Sequence, residues 1–391
     1  RQGDGRAAIP LRHTRVLLNQ WGRCGPQGVG HTAVAWSRLA GGTELCPMRP
    51  EQWEVFKRAA KRRPKAGTPV ALIVDSPWIP GYVGISHLDY YVAPELWFQA
   101  NLRILREFPD IIFFPSWWVE YGMATEPSAL GNRIHFRPDR PPDQSPVLLR
   151  LEDVNALAPP DPHSDGLMPF ALQMYRMLKP RIVQAGYTIP VVAARGPLCL
   201  ASFLRGVSQI VTDLADAPET VHQLLGLTTR TVIDWLRAQA EVIGGTVEGI
   251  LVLDDIVGFL SPSAYREFAH PYLKRICDAF PPEWVKVYHN DANVRPFLAD
   301  LADIGFDVLN WNGKIGIREV REKTRGRLCL MGNVPPLEIG VRGTPEAVRQ
   351  CAREIIAASD GASLILSVGG GVSPGMPGAN LQALADAVRG L

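Results

Sequence analysis

The chain is poor in the features that would make it something other than a large globular enzyme. It has only six cysteines in 391 residues, at positions 24, 46, 199, 277, 329 and 351, with no CxxC pair among them. A chain of this length needs no disulfide staples, so these residues read as reduced, mostly buried thiols. No uninterrupted apolar run reaches membrane-spanning length, and Arg1 is not followed by a charged region and apolar core of the kind a leader carries. The default expectation is therefore cytoplasmic, with no membrane partner. Charge of one sign is also missing: 41 Lys and Arg face 39 Asp and Glu, interspersed, for a net charge of +2. Such a balance offers no polyanion-binding surface, so no nucleic-acid partner is expected. Finally, the first clear apolar run, PVALIVDSPWIPG, is not followed by GxGxxG, which removes the fingerprint of a doubly wound dinucleotide fold.

What the chain does have is a regular alternation. Strand-length apolar runs occur at 69–75, 110–116, 189–196, 249–255, 285–290, 307–312, 327–333 and 363–370. Between them lie segments with apolar residues at helical spacing: 93–108, 170–186, 218–244, 262–280, 294–305, 317–324, 345–359 and 379–390. Continuous apolar strands alternating with amphipathic helices specify a parallel sheet covered by helices, and eight repeats predict an α/β fold closed as a (β/α)8 TIM barrel. The barrel is assigned to 69–391, with 1–68 as an N-terminal extension packed on it. Within that extension WGRCGPQGVG reads as loop and PEQWEVFKRAAKRR as a short basic helix. The proline-rich stretch 117–167 after strand two reads as a lid-like insertion over the barrel mouth.

In such barrels the chemistry gathers at the carboxyl ends of the strands, because the interior is packed shut. Reading those ends gives Asp75 and Ser76; Ser116, Trp117 and Trp118; Arg195; Asp254 and Asp255; His289 and Asp291; Asn310 and Asn312; Asn333; and Gly369 to Gly371. Ser76, Ser116 and Asn312 read as caps or turn residues. His289 ends a buried strand, and Asp291, two residues on, points the same way, so the pair can share a target. The adjacent Asp254 and Asp255 point oppositely, so one of them joins. Two carboxylates and an imidazole suit zinc or a similar divalent ion, a substrate amine, or proton transfer. Arg195 reads as a ligand for a substrate carboxylate or as a partner of those aspartates. Trp117, Trp118 and Tyr121 read as flat walls for a ligand or as core, with Glu120 and Glu126 in the same loop.

The segments LDDIVGFLSPSAYREFAHPYLKRI (253–276), HNDANVRPFLADLADIGFDVLNW (289–311), LMGNVPPLEIGVRGTPEAVRQCAREII (330–356) and LILSVGGGVSPGMPGANLQALADAV (364–388) resemble the uroporphyrinogen decarboxylase superfamily. They match its aspartate-pair strand, its His-containing strand, its GN-x-x-P segment and its glycine-rich last strand. The resemblance implies one of two chemistries. Decarboxylases of the family carry an arginine-rich N-terminal motif and an aspartate over the pyrrole nitrogens; here NQWGRCGPQG is a poor stand-in for the first, and Pro115 or Ser116 stands where the second belongs. Cobalamin-linked methyltransferases hold zinc with a His-x-Cys pair and a distant cysteine; here His289 is kept, but Asp291 and Gly369 to Gly371 replace the thiols.

The expectation is thus a methyltransferase or demethylase-type enzyme acting on a small, aromatic or methoxylated substrate. It would be metal-assisted through His289 and Asp291 and would pass methyl to a corrinoid on a partner protein. His289, Asp254, Asp255 and Arg195 would be catalytic, with Trp117, Trp118, Glu120, Tyr121, Asn310, Asn333 and Gly370 around the substrate. The alternatives are a metal-free lyase and a silent corrinoid-docking subunit. A homodimer is the expected assembly.

Overall fold

In the computed structural model the described residues are 50–63, 67–361 and 363–389. All eight expected strands are present: β1 (Ala71–Ile73), β2 (Ile112–Phe114), β5 (Val191–Arg195), β6 (Gly249–Leu253), β7 (Val285–Asn290), β8 (Val308–Trp311), β9 (Cys329–Val334) and β10 (Leu364–Val368). Two further short strands, β3 (Arg133–His135) and β4 (Asp143–Ser145), form an antiparallel hairpin inside the insertion. The run from β5 to β10 is one parallel ladder in chain order, and β1 pairs with β2 in parallel. Parallel bridges Val70 to Leu366 and Ile73 to Gly371 set β1 beside β10.

The strand order is therefore β2-β1-β10-β9-β8-β7-β6-β5, and packing shows how its two ends meet. Side chains alternate faces along a strand. One face contributes Ala71, Ile73, Ile112, Phe114, Val191, Ala193, Leu251, Leu253, Val285, Val287, Val308, Cys329, Met331 and Ile365, all in a single buried cluster. The other face, with Leu72, Phe113, Val192, Ile250, Tyr288, Leu309, Leu330 and Leu366, packs in a second cluster with the helices. On an open sheet β2 and β5 would stand at opposite edges, too far apart to share a core. Their presence in one cluster with all six other strands is the packed interior of a barrel.

The helix Pro50–Ala60 closes the amino end of that interior. Its Trp53, Phe56, Ala59 and Ala60 belong to the interior cluster, Phe56 stacks on Phe114 at 4.8 Å, and Trp53 Nε1 donates to Glu248 Oε2. This part of the expected extension packs on the barrel, whereas residues 1–49, including the loop-like WGRCGPQGVG, Cys24 and Cys46, lie outside the described residues. Cys199, Cys277, Cys329 and Cys351 are free thiols, the first three buried. Among the described residues no single helix is long and apolar enough to cross a membrane.

Three helical expectations need correction. The segment 262–280 is two helices, Pro262–Phe268 and His270–Asp278, because Pro271 has no N–H to continue the ladder and crowds the residue before it. The segment 294–305 forms only a 3-10 turn and one α-turn, Arg295–Phe297 and Leu298–Leu301. Helices Pro197–Arg205 and Val207–Asp216 were not anticipated. Seven of the nine residues in Pro197–Arg205 are buried, so that helix has no polar face and no period to read.

The insertion is docked rather than hanging free. Asn132 Nδ2 donates to Ser145 O and Phe203 O, and Arg205 Nη1 donates to Leu148 O and Leu149 O. The backbone N–H groups of Val147 and Leu148 both reach Leu204 O. These bonds fasten it to the helix Pro197–Arg205.

Candidate active site

A cavity of about 240 Å³ opens at the carboxyl ends of the strands. Its polar lining is Asp75 and Ser76 after β1, Glu120 from the insertion, Arg195 ending β5, Asp255 after β6, His289 and Asp291 from the end of β7, and Ser373 after β10. Separate stretches of chain thus meet on one small volume, which is what loops gathered at one rim of a barrel can do.

His289 is 5% exposed, and its ring is oriented from behind. Asn310 sends both N–H groups of its amide to carbonyls, Met331 O at 2.8 Å and Val368 O at 3.3 Å. Its remaining atom, Oδ1, lies 2.7 Å from His289 Nδ1. An oxygen there requires Nδ1 to carry the hydrogen, so Nε2 is the atom that accepts or gives a proton on the cavity side. Nε2 stands 3.7 Å from Asp291 Oδ2 and 3.9 Å from Asp255 Oδ1. Burial alone would lower the imidazole's affinity for a proton. The fields of Asp291 and Asp255, with the Asn310 bond, outweigh it and hold His289 above its ordinary value.

The Asp255 carboxylate is held by backbone. Asp291 N donates to Asp255 Oδ1 at 2.6 Å, which ties the loop after β7 to the loop after β6. Burial, with Asp255 nearby, raises the Asp291 carboxyl against the opposing pull of His289. Gly370, at φ +95°, makes room for it: a Cβ there would collide with the Asp291 carboxylate.

Across the cavity is a second polar group. Arg195, 7% exposed, places Nη2 3.2 Å from Glu120 Oε2 and 3.3 Å from Gly122 O, and its guanidinium lies 5.1 Å above the Trp118 ring. Only Nη2 of the guanidinium is engaged by these acceptors, so donors remain for a ligand. Its backbone N–H is held by Glu126 Oε1 at 2.8 Å. Glu120 Oε1 accepts from Ser76 N at 2.9 Å. Burial, then the neighbouring Asp75, pushes the Glu120 carboxyl up to about 8 despite Arg195. Burial also lifts Asp75 to about 6, with Arg195 and His289 pulling it down.

The structure separates the expected site residues. It brings together His289, Asp291, Asp255, Arg195 and Glu120, with Gly370 behind Asp291. Asp254 is corrected: it does not line the cavity but is turned to the start of helix Pro197–Arg205, accepting from Leu198 N at 3.2 Å and Cys199 N at 2.7 Å. Burial pushes it up to about 8, against those two N–H groups. A Cβ on Gly196 would strike it, so the glycine is what lets the carboxylate reach the helix.

Asn310 is fully buried behind His289, so it orients the imidazole and does not line the substrate cavity. Asn333 donates to Ile315 O at 2.8 Å and Asn312 O at 3.4 Å, bracing a loop outside the cavity. Trp117 is core, 1% exposed and packed on Trp97, Phe98 and Tyr187. Trp118 points into the barrel interior below Arg195. Tyr121 packs on Tyr91 and Phe136. Ser116 and Trp117 stand at φ +68° and +51°, a left-handed stretch that costs about 1–3 kcal/mol per residue in non-glycine.

The site residue without an assigned role in the sequence is Asp75. Its signal was available, because it ends the first apolar run as His289 ends the fifth. Ser76, read as a cap or turn residue, lines the cavity with its side chain fully buried.

A zinc-thiolate centre does not fit these residues. Among the described residues no cysteine lines the cavity, and no three His, Cys, Asp or Glu side chains are grouped as a metal cage. A larger hollow of about 540 Å³ lies at the amino ends of the strands beside Lys57, Lys61, Glu248 and Trp284. There the lysines are already taken, Lys57 by Glu248 and Lys61 by Asp307, so it holds no convergent reactive group.

Comparison with known proteins agrees with this architecture. Residues 54–391 match the family model described as uroporphyrinogen decarboxylase (URO-D). A uroporphyrinogen decarboxylase of Thioalkalivibrio sulfidiphilus is 26% identical over 85% of this chain and 96% of its own. That of Pseudomonas syringae is 27% identical over 86% of this chain and 96% of its own. Among solved structures, a methyltransferase from Methanosarcina mazei superposes with a TM-score of 0.75 at 23% identity, covering 86% of this chain and 97% of its own. With the family model spanning the barrel and most of the helix that closes its amino end, the chain belongs to the uroporphyrinogen decarboxylase family.

Proposed function

We propose that this member of the family is a methyltransferase of the demethylase type, acting on a small methylated molecule rather than on a porphyrinogen. The observation that carries the reading is the size and charge of the cavity. About 240 Å³ is below the roughly 300–1,000 Å³ occupied by pockets for drug-sized ligands, and a tetrapyrrole is larger still. Four carboxyl side chains, Asp75, Glu120, Asp255 and Asp291, line it against one arginine. A carboxylate-rich macrocycle would bring like charges together there, at about 3 kcal/mol for each pair 5 Å apart at an effective dielectric constant near 20.

Removing methyl from a heteroatom leaves that atom with an electron pair to be protonated. His289 is placed to supply that proton, since its Nε2 faces the cavity, its Nδ1 hydrogen is committed to Asn310, and two aspartates favour its charged form. The imidazolium proton passes from Nε2 to the departing oxygen or nitrogen, and the C–heteroatom bond breaks as methyl leaves toward its acceptor. A corrinoid on a partner protein would supply the nucleophile that takes the methyl group. Arg195 orients the substrate, and Glu120 steadies Arg195.

One observation favours a second reading, a lyase acting on a small carboxylic acid: the donors Arg195 keeps for a ligand suit a carboxylate. A single experiment separates the two. The full chain is incubated with reduced corrinoid and a panel of methoxylated and N-methylated compounds, and in parallel with uroporphyrinogen and small carboxylic acids. Appearance of methylated corrinoid, lost in His289→Ala, is the expected result. Carbon dioxide release without methylated corrinoid overturns the reading.

A further inference from the structure

The Arg195 side chain is more than nine-tenths buried and lines the cavity, yet most of its hydrogens have no acceptor. Among the described residues Nε and Nη1 make no hydrogen bond. Neither of them is sealed from solvent, so they open on the cavity. The Trp118 ring, 5.1 Å from the guanidinium carbon, covers one flat face and leaves the edge of the fork free. Glu126 and Asp75 act on this group through their fields, but they accept none of its side-chain hydrogens. A buried guanidinium with open N–H groups suits a planar anion, which it grips through two parallel bonds. Each such pair of donors includes Nη2, and Nη2 already serves Glu120 Oε2 at 3.2 Å and Gly122 O at 3.3 Å. An incoming carboxylate therefore shares a nitrogen with Glu120.

We infer that the substrate carries a carboxylate that docks on Arg195, and that Glu120 admits it by holding a proton. The inference rests on the methyl-transfer reading for the group the substrate gives up, and it names the group the substrate keeps. Two ionised carboxyl groups on one nitrogen repel, and Glu120, 5% exposed, has little water to screen it. Protonated, Glu120 still accepts from Ser76 N through Oε1, and its O–H can donate to the incoming carboxylate. The surroundings of Glu120 favour that state. Asp75 after β1 repels its charge, Tyr90 and Tyr91 of helix His87–Val92 and Tyr175 of helix Met168–Gln184 bring no positive charge, and Arg195 alone opposes. Across the cavity Asp255 and Asp291 stay with His289. One guanidinium takes one carboxylate, which separates this substrate from a carboxylate-rich macrocycle. The substrate then lies with its carboxylate at the end of β5 and its methyl-bearing atom toward Nε2 of His289.

The test is binding without catalysis. The full chain is titrated calorimetrically with methoxyacetate and with its uncharged isostere 2-methoxyacetamide, at pH 7 and at pH 9. At pH 7 methoxyacetate is expected to bind at least about tenfold more tightly than the amide. Its affinity should fall about tenfold by pH 9, as a carboxyl held at about 8 loses its protonated form, while that of the amide stays level. Arg195→Gln should bring the ratio near one. Glu120→Gln, a fixed neutral stand-in, should keep the preference at both pH values. His289→Gln removes the other cavity group whose proton is held above its ordinary range, and it should leave the fall in place. Equal affinity for acid and amide, no binding of either in the millimolar range, a ratio unchanged in Arg195→Gln, or a pH response unchanged in Glu120→Gln or lost in His289→Gln overturns the inference. If Arg195→Gln does not fold, Arg195→Lys decides: it keeps the charge without the fork and should weaken the acid but not the amide, and an unweakened acid overturns the inference. With no methyl acceptor present, an intact preference beside a failed transfer assay counts against the reaction alone.

Discussion

At the residue scale, the arrangement around His289 makes its protonation the quantity to measure. Asp291 and Asp255 hold the imidazole above its ordinary value, so activity that needs the imidazolium should persist past pH 6.5 and fall along an alkaline limb. Asp291→Asn removes one of the charges favouring the proton, and the limb should move to lower pH in a profile of kcat/KM. A limb that stays in place would mean another group supplies the proton. The aspartate pair gives a paired contrast. Asp255→Asn should lower kcat with little change in thermal stability, whereas Asp254→Asn should leave kcat largely intact, since Asp254 faces helix Pro197–Arg205. Gly370→Ala should be harmful out of proportion to its size. Its Cβ would meet the Asp291 carboxylate, and its φ of +95° is unfavourable for alanine, so a loss of about 1–3 kcal/mol together with activity is expected in denaturant unfolding and turnover.

At the scale of elements, the site depends on short contacts between loops that follow different strands. Asp254 caps the helix after β5 from the end of β6, and Asp255 holds the loop after β7. Removing the cap by Asp254→Ala should cost about 1–2 kcal/mol, the range for losing a helix N-terminal acceptor, read as a lower urea midpoint at unchanged slope. The eight strands were legible because buried parallel strands are apolar on both faces and bounded by polar residues. Most amphipathic helices were legible for a related reason, since a face packed on the sheet repeats every three to four residues. Helices Pro197–Arg205 and Val207–Asp216 were not. The first is nearly all buried, and the second begins one residue after the first ends, so the pair reads as one undifferentiated stretch.

At the scale of the whole molecule, several acids are wholly or partly buried at the carboxyl ends of the strands, Glu120 and Asp75 at the cavity and Asp254 beside it. Glu120 and Asp254 are pushed up to about 8 and Asp75 to about 6, chiefly by burial. In each case the folded state holds its proton to higher pH than the unfolded chain does. Their contribution is therefore fully present below the ordinary carboxylate range and is lost as pH rises through the folded values. His289, also raised, acts in the same direction. Stability should fall between about pH 4 and 8, and Glu120→Gln should flatten that slope in unfolding measured at several pH values. A slope that is unchanged in Glu120→Gln would assign the loss to other groups.

By itself the sequence determined the alternation of strands and helices, the strand ends where chemistry gathers, and the pairing of His289 with Asp291, because these are set by spacing along a single strand. Only the tertiary structure decided which aspartate of Asp254 and Asp255 faces the cavity, that Asn310 sits behind the imidazole, that Trp117 is core, and that Asp75 belongs to the site. Those outcomes depend on where one strand end lies relative to another. Barrel closure brings together side chains far apart in the chain, as it does Asp75 and His289, and no local pattern encodes the direction each takes once a neighbouring helix or carbonyl competes for it.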